Sequence, residues 1–266
     1  MFDKFADIWE VLRSEGGLRT LAACKPRSIS SFRLVQGLRD QQVSFSTIVD
    51  GGANVGQFAR AASLAYPDST ILSFEPLPDV ARKLRHNLAD LPNHRVFEKA
   101  LGNIDGEIEF HQSSYSQSSS VLVREKCEDS LLQGTREIGT LKVVICKLDS
   151  ELDHSELRPP VLLKLDVQGY ELEALQGARE VLARTSHVLV ETAFEKTYAG
   201  EPHFEEVWLY LRERGFRFVR PLAFRKDRRG RIVQIDALFQ QGQSSEEQRP
   251  SSTDLPELTG PPQRVL

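Results

Sequence analysis

Short apolar runs that end in an acidic residue recur along the chain, with helical patterns between them. Four of these runs end at Asp50, Glu75, Asp166 and Glu191. The intervening stretches place apolar residues three or four positions apart, as one face of a helix does. Strands that alternate with helices are typical of a parallel sheet covered by helices on both faces. The pattern therefore predicts an α/β, doubly wound sheet that is mostly parallel.

After residue 215 the pattern no longer alternates between strands and helices. Residues 204–214 predict a helix that Gly215 ends, because glycine readily adopts the conformation that follows a helix. Residues 216–219 and 232–239 then predict an antiparallel pair of strands. The basic cluster 225–231 between them is interpreted as a solvated hairpin tip, with contact to phosphates as the alternative. The sheet is thus expected to have about seven strands and an antiparallel last strand.

Three segments are expected along the chain. Residues 1–45 predict an N-terminal helical extension that packs on the domain or on a second subunit of a homodimer, with a membrane-surface helix as the alternative. Residues 46–240 form the predicted domain. Residues 241–266 are rich in serine, glutamate, glutamine and proline, which predicts a disordered tail.

Some segments inside the domain are predicted individually. One helix is expected over 173–182, and residues 99–103 are expected to form a loop at the end of the third strand. The serine-rich stretch 113–120 is interpreted as a lid or substrate loop, with a flexible linker as the alternative, because linkers inside domains are uncommon. Strands are expected near 107–110 and 141–148.

The first strand leads into a glycine-rich turn that predicts a nucleoside site. Residues 46–56 read as a strand that ends in Asp50, followed by Gly51 and Gly52 and then a helix. Ligands of open α/β sheets bind at the carboxyl ends of such strands, and glycines let the backbone approach them closely. Glu75 ends the second strand, where a carboxylate can accept both hydroxyls of a ribose.

The turn does not match a dinucleotide site. The best alignment to Gly-x-Gly-x-x-Gly gives Gly51, Ala53 and Gly56, so the glycine that approaches the pyrophosphate is missing. Asp50 would repel a pyrophosphate but can bind an ammonium group. These charges favour S-adenosylmethionine, which has an α-ammonium, a sulfonium and no phosphate. An NAD(P)-dependent oxidoreductase and an ordinary turn with an incidental acid are the alternatives.

Composition narrows the partners and the compartment. The 266 residues carry a net charge of −4, which indicates no general attraction to nucleic acid. The three cysteines are scattered, show no metal spacing and favour a reducing compartment. No apolar run reaches the length of a membrane span, and no signal peptide is evident. We therefore expect a cytoplasmic protein without a metal, a nucleic-acid partner or a membrane span.

An ordered set of motifs resembles the FkbM family of S-adenosylmethionine-dependent methyltransferases. The resemblance covers roughly residues 46 to 239, and the family pattern usually has glutamate where this chain has Gln168. The motifs are Asp50-Gly51-Gly52-Ala53-Asn54-Val55-Gly56, Phe74-Glu75-Pro76, Ala100-Leu101-Gly102-Asn103, Leu163-Lys164-Leu165-Asp166-Val167-Gln168-Gly169-Tyr170-Glu171, Gly177-Ala178 and Val190-Glu191.

The resemblance implies a class I methyltransferase fold and O-methylation of a hydroxyl on a sugar or a small natural-product-like acceptor. It also implies the positions that hold the donor. The methionine part would contact Asp50, Gly51 and Gly52, the ribose would contact Glu75, and the reactive end would face Asp166. Asn54, Pro76, Ala100 and Leu101 complete the expected donor site, the last two beside the adenine.

A general base would help an acceptor hydroxyl to attack. Asp166 is the predicted base, and Glu191 and His111 are the other candidates. Donor binding, or an ion pair with Lys164, is the alternative role for Asp166. A non-catalytic interaction protein with this fold is the remaining alternative to an enzyme.

Overall fold

The structure is a computed structural model that describes residue 26 and residues 28–123 and 136–242. Within these ranges the chain forms ten strands. They are β1 (Thr47–Gly51), β2 (Thr70–Phe74), β3 (His94–Phe97), β4 (Ala100–Leu101), β5 (Gly106–Ser113), β6 (Glu137–Cys146), β7 (Val161–Leu165), β8 (His187–Ala193), β9 (Phe216–Lys226) and β10 (Ile232–Gln241).

Seven of these strands make the main sheet, in the order β3-β2-β1-β7-β8-β10-β9. The first five strands in this order, β3, β2, β1, β7 and β8, run parallel to one another. β10 is antiparallel to both of its neighbours, β8 and β9. The expected doubly wound sheet of about seven strands with an antiparallel last strand is confirmed. The order reverses direction at β1, so the carboxyl ends of β1 and β7 border the crevice where such sheets bind ligands.

Seven α-helices lie in the same described ranges. They are α1 (Ile29–Arg39), α2 (Gln57–Ala65), α3 (Pro78–Asn87), α4 (Leu148–Glu151), α5 (Glu171–Gln176), α6 (Arg179–Arg184) and α7 (Phe204–Arg212). The central strands are buried on both faces because helices cover both sides. Every residue of β1 and of β7 is buried.

The core has two layers, one on each face of the sheet. Ile48 and Leu162 face the layer that contains Leu38 of α1, whereas Val49 and Leu163 face the opposite layer. Neighbouring residues separate in this way because successive side chains of a strand point to opposite faces. Residues 29–39, assigned to the predicted extension, thus pack into the same core as the domain.

The single helix predicted over 173–182 is wrong, because the structure has the two short helices α5 and α6 there. Gly177 lies between them, and a Cβ built on it would be 1.9 Å from the Gly102 carbonyl oxygen. Only glycine fits so close an approach. The Asp149 carboxylate accepts hydrogen bonds from the backbone N–H groups of Glu180 and Val181, so it caps the start of α6.

A second sheet lies beside the main one, in the order β4-β6-β5. The prediction of a loop over 99–103 is wrong for two of its residues, because Ala100 and Leu101 form β4. They pair in parallel with Ile145 and Cys146 of β6. The strands expected near 107–110 and 141–148 are present as parts of β5 and β6. This small sheet therefore holds Ala100 and Leu101 against the carboxyl end of the main sheet.

Parts of two predicted segments lie outside the described residues. They are residues 1–25 and 27 of the N-terminal extension and residues 243–266 of the tail. The boundaries proposed at 45 and 240 stay predictions.

Candidate active site

A cavity of about 270 Å³ opens at the carboxyl ends of β1, β2, β7 and β8. Its walls combine parts of the main sheet, the small sheet, the serine-rich loop and the start of α1. Four carboxyl side chains line it: Glu75, Asp166, Glu191 and Asp236. Glu75 and Asp166 follow the ends of β2 and β7 as the sequence predicts, because the carboxyl ends of parallel strands meet at one edge of a sheet. Glu191 also lines the cavity, but it is not the end of its strand, because β8 continues to Ala193.

The glycine turn after β1 is packed tightly against the end of β7. Gly52 has φ +73°, and a Cβ on it would be 1.8 Å from the Asp166 carbonyl oxygen. Asp166 N–H donates to the Gly51 carbonyl at 3.1 Å. Asn54 also has positive φ, +48°, a conformation that asparagine tolerates better than most residues. Backbone contacts therefore hold this turn at the floor of the cavity.

Glu75 is almost fully buried at the cavity wall. Its two carboxylate oxygens accept hydrogen bonds from Asn54 N–H at 2.9 Å and Leu77 N–H at 3.0 Å. Burial raises the pKa of Glu75 to about 7, although these two hydrogen bonds oppose the rise. A carboxylate keeps acceptor capacity after two hydrogen bonds. Glu75 can therefore accept further hydrogen bonds from a ligand in the cavity.

Asp50 lies behind the cavity wall and not on it. Its carboxylate is fully buried, and its Oδ1 is 2.9 Å from Lys164 Nζ. Lys164 Nζ also donates to the carbonyl oxygens of Gly51 and Gly52 at 3.1 and 3.2 Å. Burial favours the neutral amine of Lys164, but the charges of Asp50 and Asp166 outweigh it and raise its pKa. Lys164 lines the cavity and separates Asp50 from it.

Gln168 connects two of the predicted acids, an arrangement called the Gln168 bridge below. Its Nε2 donates to Asp166 Oδ1 at 2.6 Å and to Glu191 Oε2 at 2.7 Å. The Tyr198 hydroxyl donates to Gln168 Oε1 at 3.0 Å. Gln168 has φ +57°, and the buried Glu171 carboxylate accepts from the N–H groups on both sides of it. Since a carboxylate has no N–H to donate, only the amide can link both acids in this way.

Sequence reasoning missed Asp236, which lies directly opposite Glu191 in the pairing of β10 with β8. Burial, and next the charge of Asp166, raise the pKa of Asp236 to about 6. Burial also raises the pKa of Glu191 well above its ordinary value, with Asp166 and Asp236 adding to the rise. Asp236 is preceded by Ile235 and followed by Ala237, so it gave no sign of a strand-end acid in the sequence. Only the register of β8 and β10 reveals the pair.

The serine-rich loop contacts the glycine turn, and its role as a lid or substrate loop stays a prediction. Ser116 Oγ accepts a hydrogen bond from Asn54 Nδ2 at 3.0 Å. Ser120 Oγ donates to the Gln168 carbonyl at 2.6 Å, and the Tyr198 hydroxyl also contacts the Ser118 carbonyl, at 3.2 Å. The loop is therefore attached both to the glycine turn and to the residues of the Gln168 bridge.

His111, the third candidate base, is not brought to the cavity. It lies on β5, where its Nδ1 is 3.2 Å from Glu137 Oε1. It does not line the cavity. Among the described residues no cluster of histidine, cysteine and acids is arranged to hold a metal ion, and no helix is long and apolar enough to cross a bilayer.

Comparison with known families decides what kind of domain surrounds this cavity. The family described as the methyltransferase FkbM domain matches residues 50–218, which is more than half of the chain. The chain belongs to the FkbM methyltransferase family. The match confirms the expected family, the methyltransferase domain and S-adenosylmethionine as the methyl donor, and it decides against a nicotinamide oxidoreductase.

Named relatives share only part of their length with this FkbM family member. The 2-O-methyltransferase NoeI of Sinorhizobium fredii is 30% identical over 161 residues, 58% of this chain and 66% of the relative. The hexuronic acid methyltransferase AglP of Haloferax volcanii is 26% identical over 143 residues, 53% of this chain and 54% of the relative. The chain thus spans less than two thirds of their lengths.

Among solved structures, the magnesium protoporphyrin IX methyltransferase of Synechocystis, solved with bound SAM, is 11% identical. The match covers 80% of this chain and 81% of that one, with a TM-score of 0.44.

Proposed function

We propose that this protein transfers the methyl group of S-adenosylmethionine to a hydroxyl of a sugar or another small acceptor. The observation that carries the proposal is that one cavity has Glu75 at one end and the bridged acids Asp166 and Glu191 at the other. One end suits a nucleoside, and the other suits a hydroxyl that must lose a proton. The bound donor supplies an electrophilic methyl group on a sulfonium.

The proposed donor site follows the order of the strands in the sheet. Glu75, after β2, would accept hydrogen bonds from the ribose hydroxyls, and Pro76 follows it in the wall. The small sheet would place Ala100 and Leu101 beside the adenine. The backbone of Gly51, Gly52 and Asn54 would form the floor below the donor.

Asp166, after β7, would face the methionine end of the donor. Its Oδ2 is 4.0 Å from Lys164 Nζ, so a cation lies beside it in the wall. Asp50 would not contact the donor, because it lies behind Lys164. Its charge would hold the Lys164 ammonium in place, and that ammonium binds the carbonyl groups of the glycine turn. The role proposed for Asp50 is thus to fix the turn, and direct contact with the donor's ammonium is left to Asp166.

A sugar is the acceptor class that the relatives favour, since NoeI is named a 2-O-methyltransferase and AglP a hexuronic acid methyltransferase. The mouth of the cavity agrees with a polyol. It presents serine side chains from the loop and from α1, together with the exposed rings of Tyr115 and Phe224. Hydroxyl groups exchange hydrogen bonds with a sugar, and the rings can pack against its apolar face.

Two measurements test the proposal. Calorimetry should show that the purified protein binds S-adenosylmethionine and its demethylated product, S-adenosylhomocysteine. Incubation with methyl-tritiated donor and methyl glycosides of neutral hexoses, amino sugars and hexuronic acids should transfer label to at least one of them. Absence of binding by either compound would reject a methyltransferase and favour a non-catalytic interaction protein. Binding without transfer to any glycoside would reject the sugar acceptor.

A further inference from the structure

The strands order the cavity from the nucleoside end to the far end. Glu75 follows β2, the glycine turn follows β1, and Asp166 follows β7; β8 and β10 come next with Glu191 and Asp236. Neighbouring strands lie about 4.8 Å apart. β8, two strands away, is thus about 10 Å from β1, and β10 is farther still. If the donor occupies the span from β2 to β7, the acceptor is left with the end over β8 and β10.

The acids at this far end are held in one arrangement. Glu191 and Asp236 are direct partners across β8 and β10, so their side chains lie on the same face of the sheet. The Gln168 amide fixes Glu191 Oε2 at 2.7 Å. On the other side of Asp236, Arg225 Nη1 of β9 donates to Gln234 Oε1 at 3.2 Å, which places a cation in the same wall.

We propose that Glu191, paired with Asp236, is the group that accepts the proton of the acceptor hydroxyl during methyl transfer. The inference rests on the proposed function and assigns the base within it. It moves the base from Asp166, the sequence-based prediction, to a residue one strand farther from the donor turn. Asp236 is then a positioning residue that acts through Glu191.

The step balances without a further reactant. The hydroxyl oxygen forms a bond to the methyl carbon with one of its lone pairs. The carbon–sulfur bond breaks, and its electron pair stays on the sulfur, which becomes a neutral thioether. The O–H bond breaks, and the proton passes to the Glu191 carboxylate. Glu191 later releases that proton to water, when the methylated product has left.

Asp166 suits this role less well because it belongs to the donor end. Its N–H is bonded to Gly51, and its carbonyl group lies against Gly52. Its carboxylate lies between the Lys164 ammonium and the Gln168 amide. These contacts suit Asp166 to hold a cationic ligand beside the glycine turn rather than to reach an acceptor over β8.

Several charged groups face Glu191 and decide its protonation. Two carboxyl groups close together resist simultaneous ionisation, so the pair is expected to titrate in two coupled steps. The protonation of Glu191 thus depends on the charge of Asp236. The other groups that face Glu191 are Lys164 on β7, Asp166 after it, Glu171 on α5, Tyr198 after β8 and Arg225 on β9.

The first experiment needs no acceptor. Carbon-13 NMR of side-chain carboxyl groups in the full chain, labelled at glutamate and aspartate, would follow each titration from pH 3 to 9. The variants Glu191→Gln and Asp236→Asn assign the two signals, because each variant lacks the carboxyl signal of the residue that it replaces. We expect both signals to titrate above the ordinary carboxyl range, and we expect Asp236→Asn to lower the midpoint of Glu191. Independent titrations within the ordinary range would overturn the pairing, even if the protein is not a methyltransferase.

The second experiment measures methyl transfer to the glycosides of the panel above. Glu191→Gln should lower single-turnover rates by about 10²–10⁴-fold, the usual contribution of a general base. Its affinity for S-adenosylmethionine should stay within about twofold. Asp166→Asn should show the opposite signature, with weaker donor binding and a near-normal rate at saturating donor. Asp236→Asn should move the acid limb of the pH–rate profile to lower pH, which loss of structure alone would not do.

Exposed acids outside the cavity supply matched controls. Glu109→Gln on β5 and Asp68→Asn after α2 make the same chemical changes at exposed positions. A rate for Glu191→Gln equal to that of Glu109→Gln would overturn the base assignment, as would a large loss of rate in Asp166→Asn at saturating donor. If the wild-type protein binds no donor, the proposed function fails, and the NMR titration still decides whether the carboxyl pair exists.

Discussion

Lys164 Nζ lies 2.9 Å from Asp50 Oδ1 in a buried ion pair directly beneath the glycine turn. The same ammonium also binds the carbonyl groups of Gly51 and Gly52. A buried charge without its partner is expensive, whereas the complete pair is tolerated because each charge compensates the other. The pair therefore connects the stability of the domain with the shape of the donor site.

Lys164→Met should destabilise the protein by about 3–5 kcal/mol, because Asp50 would remain buried without a cation. Urea unfolding at pH 7 measures the change. The double variant Asp50→Asn, Lys164→Met should recover part of the loss, since the uncompensated charge is gone. Lys142→Met, at an exposed position of β6, is the control and should stay within about 0.5 kcal/mol of wild type. A Lys164→Met variant as stable as this control would contradict the importance of the pair.

Glu75→Gln should weaken S-adenosylmethionine binding by about 1.5–3 kcal/mol, since charge-assisted hydrogen bonds to the ribose would be lost. The difference should also depend on pH. The pKa of Glu75 is raised to about 7, so wild type should gain affinity relative to the variant between pH 6 and 8, as the carboxylate ionises. Calorimetry at several pH values tests both statements, with Glu109→Gln as the control. Equal affinities for wild type and Glu75→Gln at pH 8 would show that Glu75 does not bind the ribose.

Gln168→Glu should make stability depend more steeply on pH. The new carboxyl would face Asp166 and Glu191 without an N–H to donate, so its pKa would be higher in the folded than in the unfolded protein. Such a group has its full stability contribution below the unfolded pKa and loses it as the pH rises through the folded pKa. Wild type already has acids of this kind, with pKa values of about 6 for Asp236 and about 8 for Glu171, so its stability should fall from about pH 4 to 8.

Thermal unfolding at pH 5 and pH 8 tests this prediction. The variant should approach wild type at pH 5 and fall below it at pH 8. Gln176→Glu is the matched control, because Gln176 Oε1 only accepts a hydrogen bond, from Asn103, and a carboxylate can do the same. Equal stability losses at both pH values would contradict a raised pKa for the new carboxyl, and no loss at either pH would show that the amide donors of the Gln168 bridge do not matter.

Deletion of residues 243–266 should leave the melting temperature and donor affinity unchanged. The prediction rests on composition, because few apolar residues in the tail could be buried. The deletion keeps Gly242, whose N–H donates to the Gly215 carbonyl at 2.8 Å, and Gln241, whose N–H donates to Ser186 at 2.9 Å. A fall in melting temperature of several degrees would mean that the tail docks on the domain.

The parallel strands and their terminal acids could be predicted from the sequence because both signals are local. A buried run followed by Asp50 or Asp166 identifies a strand and its end at once. The break between α5 and α6 could not be predicted, because it depends on the contact of Gly177 with Gly102, which is 75 positions earlier in the chain. Its local pattern is that of one helix.

The candidate site could also be predicted from the sequence only where the signal is local. Glu75, Asp166 and Glu191 were found as strand-end acids, and all three line the cavity. The position of Asp50 behind Lys164 follows from side-chain direction, and the pairing of Asp236 with Glu191 follows from strand register. Neither the direction of a side chain nor the register between two strands can be predicted from residue spacing along one strand.

The small sheet has a consequence for ligand selection. In the proposed donor site Glu75 extends from the main sheet to the ribose, whereas Ala100 and Leu101 border the adenine from β4, which pairs with β6 in the other sheet. In that site the ribose and the adenine of one nucleoside would thus contact two different β-sheets. The spacing between the two sheets, rather than any single side chain, then sets the size of the base that fits.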